Sequence, residues 1–445
     1  MRDMLVFGLM LAWVPMAFMS AFVAFLIWIF VSLISPQLYL YGFMADFRYA
    51  FVFAAIALGL LFLGRVKNRG TFILDKITVL LLIFVLHAVT SAVLAIYSNP
   101  LAPFRLETFL KGMALALVAP FFITSRWRLH LTIVVLIASL GFHGLLDGLK
   151  VIASGGAHNV RGIPGGPLAD NNLMAVGMVM ILPLCMYMIK YSANKLAKWA
   201  VISIFILLIL TILGSNSRGG FLALAVVGVW YWITSQRKGM SAILLAVLAA
   251  GVIQVAPERW FDRVSTIKTA AEDQSFLGRV AAWKVSINIA SDNPIFGGGF
   301  DATQVKPIWD MHKHTPNVID YQIPEGMDYK AAHSIYFQVL GDMGYVGLLI
   351  FLALLAAAFI TRWEINGLVK RAPARNVWAS DLSTALTLSL VAFMAGGGGV
   401  SVAYFEIAHF QIVLLAVIKR TLGEQFSQKK VESYGRPGMA ASRHV

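Results

Sequence analysis

Long apolar stretches dominate the chain, and short polar connectors separate them. A helix needs about 17 to 25 mainly apolar residues to cross the hydrocarbon core of a bilayer. About twelve stretches fit, at 4–34, 49–65, 76–97, 106–124, 129–149, 171–190, 197–213, 219–235, 239–256, 334–361, 378–396 and 400–418. The pattern predicts an all-α fold, a polytopic membrane bundle of about 12 transmembrane helices. Pro15 should kink the first stretch or split it into two pieces.

Composition and charge agree with a membrane protein. Of the residues 59% are hydrophobic and 13% are charged, whereas soluble domains are about 25% charged. The net charge of +14 is carried mainly by short connectors, at 65–69, 126–128, 190–198, 237–238, 362–375 and 419–420. Every second connector is basic, which is typical of cytoplasmic loops and does not favour a nucleic-acid partner. Both termini are therefore expected in the cytoplasm, unless the first 34 residues form a full hairpin.

The polar segments divide the chain into four parts. Residues 1–256 form a transmembrane bundle of about nine spans, 257–332 a large outer loop, 333–420 the C-terminal transmembrane helices, and 421–445 a polar cytoplasmic tail. In the loop, Phe276, Val280, Trp283 and Ile287 recur at helical spacing. They predict an amphipathic helix over 276–290 that lies on the membrane or caps the bundle. We expect Asp292-Asn-Pro294 to stop it and Gly297-Gly-Gly299 to follow as a flexible turn.

Candidate chemistry gathers where the outer connectors meet the spans. His333 lies between the large loop and the next span, and a neutral imidazole there can act as a general base. Arg218 lies in Gly214-Ser-Asn-Ser-Arg-Gly-Gly220, where small residues let the backbone approach a ligand and a guanidinium can hold phosphate oxygens. In this connector we assign Ser217, with Asn172 at the start of another span, to orienting the substrate.

Arg161 and Arg279 complete the predicted cation cluster. Arg161 lies in another outer connector, Val160-Arg-Gly-Ile-Pro-Gly-Gly166, which Asp170 closes as a helix N-cap. Arg279 lies on the predicted amphipathic helix. The positive-inside bias disfavours cations in the outer connectors of a membrane protein. Arginines in these connectors are therefore candidate phosphate ligands.

Several other kinds of site lack their signatures. The sequence contains no Asp-x-Asp pair, Walker sequence or nucleophile elbow, and no metal or cofactor is expected. Asp310-Met-His312-Lys-His314 could bind a metal, but it has no further ligand nearby in sequence. Ionisable residues inside the predicted spans are expected to be packed polar groups or the edges of a pathway; they are His87, His143, Asp147, Glu406 and His409.

The order of these motifs resembles the O-antigen ligase and polymerase superfamily over roughly residues 150 to 361. The shared features are the Ser-x-Ser-Arg-Gly-Gly connector with Arg218, then Arg279 four residues before Trp283, then Asn293-Pro-Ile-Phe-Gly-Gly-Gly, then His333-Ser with Gly341 and Gly344. The N-terminal stretch also resembles the O-glycosylation ligases found beside exosortase systems.

The resemblance implies a multi-pass enzyme of the bacterial inner membrane with a periplasmic active site. Such enzymes are metal-independent glycosyltransferases that move a whole glycan from undecaprenyl pyrophosphate to an acceptor hydroxyl. In an O-antigen ligase the acceptor is lipid A-core. His333 would then be the base of an inverting displacement, and Arg161, Arg218 and Arg279 would bind the pyrophosphate.

Two alternatives remain at this point. An O-antigen polymerase or a protein O-glycosylation ligase would share these motifs and differ in its acceptor. A lipid or glycan transporter is an alternative of another class, and transporters tend to show paired repeats. No such repeat is visible, although the glycine run at 396–399 resembles a broken helix.

Overall fold

Helices make up the whole architecture of the part of the chain that the computed structural model describes, residues 1–95, 99–166, 168–235, 237–255 and 274–434. These residues contain no β-strand. The helices are α1 Arg2–Met19, α2 Ala21–Ile34, α3 Tyr49–Phe62, α4 Lys76–Val93, α5 Ala102–Phe122, α6 Arg126–Ala153, α7 Asn171–Tyr191, α8 Lys195–Gly214, α9 Arg218–Thr234, α10 Lys238–Val255, α11 Gln274–Asp292, α12 Lys306–His312, α13 Ile335–Lys370, α14 Pro373–Gly397 and α15 Glu406–Tyr434, with short 3₁₀ helices at Pro36–Tyr39 and Ala302–Gln304.

Membrane-spanning character is strongest in seven of the described helices, which are long and apolar enough to cross a bilayer: α1, α4, α6, α7, α8, α13 and α14. Shorter apolar helices are α2, α3 and α9. Each predicted apolar stretch overlaps at least one observed helix. The chain is thus an all-helical, multi-pass membrane protein, and the span count of about twelve stays a prediction.

The first stretch divides at Ser20 rather than at Pro15. Helix α1 continues through Pro15 to Met19, and the Ser20 hydroxyl then caps α2 by accepting a hydrogen bond from the Val23 N–H. A proline late in a helix removes one hydrogen bond, whereas a capping serine in extended conformation starts a new helix. The two pieces form a hairpin. Asp3, at the start of α1, accepts hydrogen bonds from the Gly42 and Met44 N–H groups, which lie in the connector after α2.

Contacts between connectors sort the described polar segments into two ends of the bundle. At one end, which we call the basic end, the basic connectors meet one another and the last helix. The contacts there are Arg420 with the carbonyls of Thr71, Pro120 and Ile123, Arg128 with that of Lys67, Lys190 with Asp381, and Glu364 with Lys76 and Lys419. The basic connectors, which alternate along the sequence, thus lie together at one end of the bundle.

The remaining connectors meet at the opposite end, which we call the site end. Their contacts are Asn99 with Phe300, Arg105 with Asp301, Val160 with Gly214, Asn171 with Ser215, and His333 with Ser401. Leu38 packs against Gly166 there, so the connector after α2 also lies at this end. The N-terminus accompanies that connector through Asp3. The first 34 residues thus form the full hairpin that the sequence left open, and the N-terminus lies at the site end rather than at the basic end.

The last helix runs farther than predicted. A polar tail is expected from residue 421, yet α15 continues to Tyr434. Thr421 and Leu422 are buried, because Arg420 anchors this part of the helix to the connectors of the basic end. The rest of the predicted tail, 435–445, lies outside the described residues.

Residues 274–332 form a small outer domain on the site end. Its helix α11 matches the predicted amphipathic helix, which ends at Asp292 as expected. Nevertheless, the predicted apolar stripe is only partly buried, and Phe276 is 37% exposed. The residues buried instead are Ala281, Ala282, Val285 and Ile289, which pack with Ala302, Val305, Ile308, Trp309 and Ile323 into a separate core.

Polar side chains of α11 point inward because they hold the rest of the outer domain. The Lys284 ammonium donates to the Tyr321 carbonyl at 2.9 Å. The Asn288 amide donates to the carbonyls of His312 and Thr315. A prediction based only on the spacing of apolar residues does not identify this second buried face of α11.

Two glycine motifs lock the outer domain onto α13. Gly298 and Gly299 donate backbone hydrogen bonds to the carbonyls of Gly341 and Asp342, each at 2.9 Å. Helix α13 is broken at Gly344, which has φ +70° and ψ −173°. A Cβ on Gly344 would lie 2.5 Å from the Pro294 carbonyl oxygen. The glycine run is therefore a tight docking surface, and its expected role as a flexible turn is wrong.

Candidate functional site

A cavity of about 280 Å³ opens at the site end, between the bundle and the outer domain. Arg218 and Arg279 both line it, although 61 positions of sequence separate them. The other lining residues are Asn171, Asn172, Asn216, Gly219, Ser275, Phe276 and Gly399. Bundle helices, the outer domain and a C-terminal connector thus each contribute one wall.

Helix N-termini face this cavity. Helices α7 and α9 begin at Asn171 and Arg218, and the first residues of each lie in the cavity wall, together with Ser275 and Phe276 of α11. The first turn of a helix has backbone N–H groups without intrahelical partners and carries partial positive charge. Such termini, converging beside guanidinium groups, favour an anionic ligand.

Arg218 is held at the start of α9 by a tight connector. Asn216 has φ +50°, and the Ser217 hydroxyl accepts from the Gly220 N–H as the helix N-cap. A Cβ on Gly220 would lie 2.5 Å from the Ala175 methyl, so α9 approaches α7 closely at this point. The small residues noted in the sequence therefore serve helix packing and bring the guanidinium to the cavity.

Arg279 reaches the same cavity from the outer domain. It lies on α11, and its Nη1 is 3.5 Å from the position of a Cβ on Gly399. Gly399 belongs to the glycine run between α14 and α15. A larger residue there would occupy space beside the guanidinium, which gives this run a role in the site.

The predicted substrate-orienting pair is a hydrogen-bonded pair. The Ser217 hydroxyl, which already accepts from Gly220, donates to Asn172 Oδ1 at 2.7 Å. Because Oδ1 accepts this bond, the N–H₂ group is the donor end of an amide that lines the cavity. Asn172 thus lines the site directly, whereas Ser217 is buried and acts through Asn172 and the helix cap. Asp170 is the N-cap of α7, as expected.

His333 lies beside the cavity rather than in its wall. Its backbone has φ +44°, and its N–H donates to the Ser401 hydroxyl, two residues from Gly399. Neither ring nitrogen has a hydrogen-bond partner within the described ranges. Burial and the charge of Arg279 lower the pKa of His333 below its ordinary value of 6.5, and Asp170 opposes this shift. The imidazole is therefore neutral at neutral pH and able to accept a proton.

Arg161 and Lys330 are cations at the margin of the site. Arg161 is exposed and does not line the cavity, although its neighbour Gly162 packs on the backbone of Asp170. Lys330, not singled out from the sequence, lies over Gly278 and also lowers the pKa of His333. No local motif marks this lysine, because it reaches the site through folding of the outer domain.

The candidate metal segment has other partners. Asp310 pairs with Lys306 and Lys313, His312 faces Asp292, and His314 faces Glu325. Within the described residues, no three His, Cys, Asp or Glu side chains are grouped as metal ligands would be. These contacts hold the outer domain together.

The intrahelical ionisable residues are mostly hydrogen-bonded to backbone. His87 donates to the Met343 carbonyl at the break in α13, and His143 lies between the Leu33 carbonyl and the Tyr39 hydroxyl. His409 contacts the Phe405 carbonyl. Asp147 differs, since it pairs with Lys150 and His158 near the site end. The expectation of packed polar groups suits the three histidines.

Comparison with known proteins identifies two regions of the chain. Residues 202–352 match the family model described as O-Antigen ligase. Residues 1–193 match a family of unknown function. No curated protein matches the chain significantly. The first match covers Arg218, Arg279 and His333, and it supports the resemblance to the O-antigen ligase superfamily that the sequence motifs indicate.

Proposed function

We propose that this protein is an O-antigen ligase that transfers a whole glycan from undecaprenyl pyrophosphate to a hydroxyl of lipid A-core. The observation that carries the proposal is the cavity in which Arg218, Arg279 and helix N-termini converge beside His333. Such a site suits a substrate with a pyrophosphate and a reaction that needs one proton acceptor. The family match supports a glycosyltransferase of the ligase or polymerase type.

The chemistry follows from the charges of the site. As the acceptor oxygen bonds to the anomeric carbon, the bond from that carbon to the pyrophosphate breaks. Arg218 and Arg279 stabilise the negative charge that develops on the leaving pyrophosphate, aided by the N-termini of α7 and α9. His333 takes the proton of the attacking hydroxyl, which typically contributes about 10²–10⁴-fold to the rate. A single displacement of this kind inverts the anomeric carbon, and the reaction uses no metal.

The charge of the basic end supports an assignment of the reaction to one side of the membrane. The basic end carries the connectors that remain in the cytoplasm, so the site end faces the periplasm of a bacterial inner membrane. The undecaprenyl and lipid A tails stay in the bilayer, and the sugars meet in the cavity. Arg161, exposed on the connector before α7, would contact the donor's phosphate or first sugars.

A reconstituted assay tests the proposal. The purified protein in lipid vesicles receives undecaprenyl-pyrophosphate glycan, with lipid A-core in one sample and a Ser/Thr-rich protein acceptor in the other, without nucleotide and with EDTA. We expect glycan-linked lipid A-core. His333→Ala should abolish transfer while donor binding persists, and Arg218→Lys should reduce it because a lysine cannot form a bidentate pair.

Each other outcome assigns a different function. Product only on the protein acceptor would indicate a protein O-glycosylation ligase, and glycan lengthening on the donor would indicate a polymerase. Movement of donor across the vesicle membrane without a linked product would indicate a transporter. Full activity of His333→Ala would remove this residue as the base.

A further inference from the structure

The peptide unit that joins Ala332 to His333 is held at both of its polar atoms by side chains from distant parts of the chain. Its carbonyl oxygen accepts from the Trp283 indole N–H at 2.8 Å. Its N–H donates to the Ser401 hydroxyl at 2.8 Å. Trp283 belongs to α11, and Ser401 to the connector between α14 and α15. Both bonds therefore fix the plane of one peptide.

That peptide plane determines the backbone angle of His333. The φ angle of a residue is the rotation between its own Cα and the preceding peptide, and here it is +44°. A left-handed conformation is uncommon for a residue with a side chain and persists where its surroundings impose it. Relaxation of the peptide toward a common φ would turn the imidazole away from its present direction.

The clamping residues are themselves fixed. The Trp283 ring stacks on Phe337 with a centroid distance of 5.0 Å and an interplanar angle of 12°. Trp283 also lies one helical turn after Arg279, so one helix bears both a cavity arginine and the indole. Ser401 follows Gly399, which packs beside the Arg279 guanidinium. Two of the elements that line the cavity, α11 and the connector between α14 and α15, thus also hold the His333 backbone.

We propose that Trp283 and Ser401 are positioning residues, which clamp the Ala332–His333 peptide and thereby aim the imidazole at the acceptor hydroxyl beside the anion cavity. The proposal rests on the proposed function for its reaction, but the geometry it assigns is independent of the acceptor. Neither residue contacts the reacting atoms. Their effect is on the direction of the base.

Conservative variants separate the clamp from general packing. Trp283→Phe keeps a ring against Phe337 and loses the N–H, and Ser401→Ala loses the hydroxyl. Each should lower kcat about 10- to 100-fold, as small misplacements of catalytic groups do, with donor KM nearly unchanged. Ser401→Thr should restore activity. The double variant should lose less than the product of the single losses, because both bonds hold one peptide.

Matched controls come from the same molecule. The Trp309 indole N–H and the Ser389 hydroxyl are buried and have no hydrogen-bond partner within the described part of the chain. Trp309→Phe and Ser389→Ala therefore make the same chemical changes without breaking a bond. Both should keep wild-type kcat.

A readout that does not need turnover distinguishes failure of the clamp from failure of the proposed function. The rate at which diethylpyrocarbonate modifies His333, followed by mass spectrometry across pH, reports the accessibility and pKa of this imidazole. Trp283→Phe and Ser401→Ala should raise that rate several-fold and move the pKa toward 6.5, while the controls do neither. An unchanged rate and pKa in both clamp variants overturns the clamp, even if the wild type transfers glycan. Changed labelling with no transfer by the wild type supports the clamp and rejects the ligase.

Discussion

A pair of glycine substitutions in α13 tests how the outer domain is attached. Gly344→Ala alters the residue where the helix breaks, and Gly367→Ala alters an exposed residue in the last turn of the same helix. A Cβ at Gly344 would lie within 3 Å of Pro294 and Asn293 backbone atoms, whereas a Cβ at Gly367 would have no heavy atom within 4 Å. The same chemical change should therefore have opposite consequences.

The expected magnitudes follow from conformation and overlap. The φ and ψ of Gly344 lie in a region that is nearly exclusive to glycine and costs other residues about 1–3 kcal/mol. Backbone carbonyls 2.5–2.9 Å away must also move, and doing so strains the hydrogen bonds of Gly298 and Gly299. We expect a total loss of about 3 kcal/mol or more. Gly367→Ala should stabilise the helix by up to about 1 kcal/mol.

Thermal inactivation in detergent measures both variants. Membrane proteins commonly unfold irreversibly, so the half-life at a fixed temperature is compared rather than an equilibrium free energy. Gly344→Ala should shorten this half-life several-fold, and Gly367→Ala should leave it unchanged or lengthen it. Equal half-lives for wild type and Gly344→Ala would refute the tight docking of the outer domain on α13.

Two further changes follow from the site and its surroundings. Neutral His333 is the active form of the base, so activity should fall as the pH drops through a midpoint below 6.5. Lys330→Gln removes a nearby cation and should raise the midpoint of the pH–activity profile. A lower or unchanged midpoint would contradict this. Tyr404→Phe removes the hydroxyl that donates to Asp342 Oδ2 at 2.8 Å and should destabilise the protein by about 1–3 kcal/mol, measured by the same inactivation assay with exposed Tyr41→Phe as its control.

The sequence predicts the parts of the fold that depend on local pattern. Apolar stretches marked the helices because membrane helices satisfy their own backbone hydrogen bonds. Motif order and the resemblance placed Arg218, Arg279 and His333 in one site, and the structure brings the two arginines into one cavity with His333 beside it. Alternating basic connectors predicted which segments share an end, since charge bias acts on each connector separately.

Long-range contacts account for what the sequence did not predict. The hairpin of α1 and α2 is fixed by hydrogen bonds between Asp3 and residues about 40 positions away. The charge pattern of the connectors carries no information about such a contact. The docking of Gly344 against Pro294 turns a run that looks flexible into a rigid contact. Lys330 reaches His333 only because the outer domain folds back over α11. The charge and the connector of Arg161 group it with the other arginines in the sequence, whereas in the structure it lies outside the cavity wall.

The location of these contacts links stability of the outer domain to geometry of the site. Helix α11 carries Arg279 and Trp283, and its position depends on the glycine docking of the following segment on α13. His333 lies directly before α13 begins at Ile335. Partial release of the outer domain would therefore separate Arg279 from Arg218 and free the His333 backbone while the membrane bundle remains folded. Gly344→Ala should accordingly lose transfer activity at temperatures below those at which its helical content, followed by circular dichroism, begins to fall. Simultaneous loss of activity and helical content would show instead that outer domain and bundle unfold as one unit.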